Sequence, residues 1–115
     1  MINIKKAVIS ISGFLFFAST AIAGDVWSNG ATINNIEMLE VNKIIIYVPV
    51  TTPNVGECRD SSYGKIMYAM AGQNTLTQDS VKSVLSIALT AKITGRKVDI
   101  YHDHLDTCFI RNIRL

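Results

Sequence analysis

Apolar positions change their period along the chain, and the changes mark out its elements. The densest run, KIIIYVPV over 43–50, has the Ile, Val and Tyr content of a strand buried on both faces. Pro49 lacks an amide hydrogen and predicts the end of that strand or an edge position. Upstream, ATINNIEML over 31–39 places Ile33, Ile36 and Met38 in a strand whose alternation slips once, as a bulge near Asn34 would cause. The preceding GDVWSNG, 24–30, is polar apart from Val26 and Trp27 and reads as an N-terminal arm. Downstream, 51–64 is rich in Pro, Gly, Asn, Asp and Ser and reads as a loop carrying Cys58. KIMYAMA, 65–71, is the third strand, closed by the turn GQNT.

The period then becomes helical. Val81, Val84, Leu85 and Ala88 recur on one side, with Ser83, Ser86, Thr90 and Thr94 on the other, predicting an amphipathic helix from about Gln78 to Thr94. Thr77 or Asp79 can cap its start, and Gly95 stands where a left-handed terminal residue is needed. Two strands follow, 97–102 and 108–115, joined by the polar stretch DHLDT. Alternation in the first sets Val98, Ile100 and His102 against Lys97, Asp99 and Tyr101. Three strands, a helix and two strands is the element order of the OB fold, so the expected class is mainly β with one helix: a small five-stranded barrel with the helix between strands 3 and 4.

The beginning of the chain has a different character. Lys5 and Lys6 precede an apolar run over 7–18, and Ala21-Ile22-Ala23 is a small-x-small cleavage signal. This reads as a secretory signal peptide over 1–23, too broken by Ser10, Ser12 and Gly13 to serve as a membrane span. Of 115 residues, a 23-residue leader leaves 92 for a single domain over 24–115, located in the periplasm or outside the cell. Removing Lys5 and Lys6 also equalises basic and acidic residues at nine each, which removes the electrostatic case for nucleic acid.

Export bears on the cysteines. Cys58 and Cys108 are the only two, and in an oxidising compartment they are expected to bridge. No second cysteine pair stands at zinc-ligand spacing, so no metal or other cofactor is expected there. His102 and His104, with Asp106 as third ligand, are the other metal possibility, but a short polar link between strands reads as an ordinary hairpin turn. No serine-centred signature such as G-x-S-x-G occurs, and bridged cysteines offer no thiolate, so no catalytic residue is assigned and the protein reads as non-enzymatic. Tyr101 faces away from Val98 and Ile100 and is available to stack on a sugar or a neighbouring subunit; Tyr47 and Tyr68 read as interior. Arg111 and Arg114 read as solvated or as partners in intersubunit ion pairs.

ITGRKVDIYHD, 93–103, resembles the T-T-G-x-x-V-x-I-Y-Y-E segment that follows the helix in B subunits of subtilase-type toxins. CRDSS, 58–62, resembles a C-x-x-x-S-S stretch of the same family. The resemblance implies a pentameric OB-fold subunit that binds cell-surface sialylated glycans and carries a toxic A subunit through a central pore. It would give Ser83, Ser86, Thr90 and Thr94 a pore to line. Of the glycan-binding positions it implies, a tyrosine is replaced here by His102 and a serine by Asn29, so with Tyr101 the candidate set is Asn29, Tyr101 and His102, and a sialylated ligand does not follow from the resemblance. The alternative is a monomeric periplasmic OB-fold binding or stress protein with no toxin function.

Overall fold

Cross-strand pairing divides the chain into two antiparallel sheets. The computed structural model describes residues 24–115; the expected leader lies outside them. In chain order the elements are β1 (Val26–Ala31), β2 (Asn35–Glu40), β3 (Lys43–Val48), β4 (Asp60–Ser61), β5 (Gly64–Met70), α1 (Gln78–Thr94), β6 (Val98–His102) and β7 (Ile110–Arg114). One sheet has the order β1-β6-β7, the other β2-β3-β5-β4.

This corrects the expectation of one closed five-stranded barrel. Chain 32–34 leaves the ladder between β1 and β2, so consecutive segments enter different sheets. On the other side a single parallel bridge, Tyr68 with Phe109, joins the sheets, its Tyr68 N–H donating to the Cys108 carbonyl at 3.2 Å. Among the described residues, mainly β with one helix holds; closure into one barrel does not.

The arm is corrected too. Val26, Trp27 and Ser28 pair with His102, Tyr101 and Ile100. The strand exists because β6 supplies a ladder for its amides and a stacking partner for Trp27, a tertiary gain that local composition does not reveal. The register shifts between Ser28 and Ala31, where Gly30 takes φ +68° and its N–H donates to Asp99 Oδ1 at 2.9 Å. The slip foreseen near Asn34 is instead the break between the two sheets.

Between the sheets lies the core: Ile44, Ile46, Val48, Met67, Ile100 and Ile110 are completely buried. Each such side chain contributes roughly 1.5–3 kcal/mol relative to exposure. Helix α1 covers this core with Val81, Val84, Ala88 and Ala91, small residues that let its backbone come close. The Thr77 hydroxyl accepts from the Ser80 N–H at 3.1 Å and Gly95 ends the helix at φ +70°, so both caps are the foreseen ones. Gly64 is held by more than φ +115°, since a Cβ there would collide with the Val48 carbonyl. The Cys58–Cys108 disulfide is formed and fastens the loop before β4 to the start of β7.

Candidate functional site

The pleat of the three-stranded sheet sorts the candidate residues into an outer and an inner group. Trp27 and Tyr101 are register partners on the outer face, with ring centroids 4.9 Å apart and a tilt of 30°. Arg114 lies over Trp27 at 4.2 Å and Arg111 near Tyr101 at 6.0 Å, so a cation flanks each aromatic ring. Both arginines have intrachain partners: Arg114 Nε donates to Asp99 Oδ2 at 3.2 Å, and Arg111 pairs with Asp25 at 3.6 Å. The N–H of Gly30, with Arg114 second, holds the Asp99 carboxyl below its ordinary range. The arginine side chains remain 48% and 59% exposed, so donors of each five-donor fork still face solvent. Asn29 is exposed on the same strand, two residues from Trp27.

The result is a half-buried aromatic pair bordered by two cations, with Asn29 exposed farther along the same strand. Aromatic faces bind the C–H faces of sugars, guanidinium groups bind carboxylates, and Asn supplies both donors and acceptors. Tyr101 is partly exposed on the face that the alternation of 97–102 gave it, and Asn29 is exposed on β1. Trp27, Arg111 and Arg114 complete the face but were not among the sequence candidates for it. Trp27 and Asn29 fall at i and i+2, a signal of a shared face had 24–30 been read as a strand.

His102 belongs to the inner group. It is 0% exposed, as is Ser28, so its ring does not reach a surface glycan. Nδ1 lies 2.7 Å from the Asp103 carbonyl oxygen, which can only accept, so Nδ1 carries the hydrogen. Nε2 then accepts from the Ser28 hydroxyl at 2.6 Å. Burial pushes the His102 pKa below its ordinary value, against the opposing pull of the Asp103 backbone contact. Serine and imidazole are thus paired as nucleophile and base would be, but both side chains are enclosed and the ring is oriented by a carbonyl.

The metal set of His102, His104 and Asp106 does not come together. Asp106 pairs with Arg59 at 3.3 Å in the link between β6 and β7. Leu105 N–H donates to Asp103 Oδ1 and Cys108 N–H to the Leu105 carbonyl, which makes that link a turn. Among the described residues, His102 instead lies beside Cys58 and Cys108, with their ligand atoms within 4.8 Å of one another. With the sulfurs bridged, neither is a thiolate, so this cluster does not fit a metal ion as it stands.

On α1, Ser83, Ser86, Thr90 and Thr94 are all exposed. Thr90 and Thr94 donate to the carbonyls of Ser86 and Thr90, so two of the four hydroxyls use their hydrogens within the helix. Leu89 and Ile93 emerge beside them, Ile93 being 81% exposed. The remaining tyrosines divide: Tyr47 is buried and donates to Glu37 at 2.7 Å, whereas Tyr68 is half-exposed against Phe109.

No family model matches the chain, and no curated protein does. Among solved structures, a chain from work described as the structural basis of subtilase cytotoxin SubAB assembly matches with a TM-score of 0.50. Identity is 16%, and the match covers 79% of this chain and 85% of that one. No helix among the described residues is long and apolar enough to cross a membrane. In fold, the described residues are thus similar to a chain of that subtilase cytotoxin assembly: mainly β, with one helix.

Proposed function

We propose that this chain is an exported, non-enzymatic glycan-binding subunit of the toxin B-subunit kind, whose ligand docks on the outer face of the three-stranded sheet. The observation that carries the reading is the Trp27–Tyr101 pair with Arg114 and Arg111 at its borders. Two partly exposed guanidinium groups favour a sugar bearing an acidic group, stacked on the aromatic pair and hydrogen-bonded by Asn29. The distant likeness in fold supports the B-subunit comparison, and with it a homo-oligomer, a pentamer in the related toxins, that could hold a toxic A subunit. Exposed Met38, Leu39 and Val41 near the β2–β3 turn, and Leu89 and Ile93 on α1, offer apolar surface for contacts between copies.

A glycan array probed with purified protein tests the reading. Binding to acidic glycans above the neutral panel is the expected result, and background signal on both panels would refute it. Solution mass separates the oligomer from the monomeric periplasmic alternative.

A further inference from the structure

The interior cluster of Cys58, Cys108 and His102 has no part in glycan binding, yet its geometry has a chemistry of its own. Both sulfurs and a ring nitrogen of His102 lie within 4.8 Å of one another, and all three residues are buried. The imidazole is oriented as metal-binding histidines are, with Nδ1–H donating to a backbone carbonyl and the lone pair left on Nε2. The present neighbour of Nε2 is the Ser28 hydroxyl, a group that can turn its hydrogen elsewhere.

We infer that the sulfur pair has two mutually exclusive occupations: a disulfide when oxidised and, when reduced, a Cys58–Cys108–His102 site for a thiophilic divalent cation such as zinc. Around tetrahedral zinc, ligand atoms lie roughly 3.5–4 Å apart, given Zn–S near 2.3 Å and Zn–N near 2.0 Å. On reduction the two sulfurs must part from bonding distance to that spacing while the His102 nitrogen, already within 4.8 Å of them, draws in. Three protein ligands leave a fourth position for water or for the Ser28 oxygen.

A dithiol gives two electrons and two protons, the Cys58–Cys108 bond breaks, and the dithiol becomes a disulfide. The cation then displaces both protons from the protein sulfurs. In reverse, an incoming disulfide accepts two electrons from the protein thiolates and two protons from solvent and is cleaved to two thiols, the protein bridge re-forms and the cation is released. Thiol redox state thereby controls whether the cation is held.

The test uses protein reduced with a dithiol, desalted without oxygen into reductant-free buffer and titrated with cobalt(II). One cobalt per chain is expected, with sulfur-to-metal charge transfer and the visible bands of tetrahedral coordination. Oxidised protein shows neither. His102→Ala should weaken binding by at least about tenfold, and the Cys58→Ser, Cys108→Ser double variant should take up none. If reduction alone unfolds the chain, cobalt should restore the native circular dichroism of the wild type more effectively than that of His102→Ala. Absence of uptake, an octahedral spectrum, or equal affinity in His102→Ala would overturn the inference.

Discussion

Replacing both bridged cysteines by serine should open the seam between the two sheets. Cys58 and Cys108 are 50 residues apart, and closing a loop of that length in the unfolded chain corresponds to about 4 kcal/mol in the chain-entropy model. Against a total of roughly 5–15 kcal/mol for a domain, that is a large share. The location concentrates the effect. Among the described residues, the backbone pairing the sheets share on this side is the Tyr68–Phe109 bridge, and the Tyr68 N–H is bonded to the carbonyl of Cys108 itself. Urea denaturation at neutral pH should show the midpoint falling with the slope nearly unchanged. Hydrogen exchange at Tyr68 should accelerate more than at Ile46 in the centre of β3. A loss below about 1 kcal/mol, well short of the loop-entropy figure, would show that the bridge does not hold the seam, as would unchanged exchange at Tyr68.

Two further outcomes concern His102 and Gly64. Because burial favours neutral His102, its pKa is lower folded than unfolded. The unfolded chain then takes up the proton first, so the contribution is constant above an unfolded pKa of about 6.5. Stability should decline as pH falls below that point towards the folded pKa, and His102→Gln should flatten this part of the urea-midpoint profile; an equally steep variant profile would contradict the assignment. Gly64→Ala should cost about 1–3 kcal/mol, from its positive φ and the approach of the Val48 carbonyl, whereas Gly56→Ala, with open space at its Cβ, should be nearly neutral in thermal melts.

The parts of the fold encoded locally could be read directly. Helix α1 was expected at Gln78–Thr94 and occupies those residues, because its period, its Thr77 cap and its terminal Gly95 all act within a few residues. Strand β3 stops at Val48, just before Pro49 removes a ladder hydrogen. The disulfide followed from cysteine count and expected compartment. What escaped depends on distant partners. β1 is a strand because β6 lies beside it, and β4 is two residues within a loop-like composition, paired through Lys65 and Gly64. Partition into two sheets is set by the interruption at 32–34 and by how little of β7 meets β5, neither of which has a sequence period. The alternation of 97–102 did place His102 with Val98 and Ile100, on the face that turned out to be buried. Its transfer to a glycan site came from the family resemblance, and the pleat decides otherwise.

The proposed ligand of the outer face of the β1-β6-β7 sheet is an acidic sugar held between the Trp27–Tyr101 pair and its arginines. Titration of an acidic glycan that scores on the array into wild-type protein, Trp27→Ala and Ser83→Ala tests it most directly. Saturable binding by the wild type, at least about a tenfold loss in Trp27→Ala, equivalent to about 1.4 kcal/mol, and no change in Ser83→Ala are expected, with native circular dichroism in all three. Equal affinity in Trp27→Ala and wild type would contradict it.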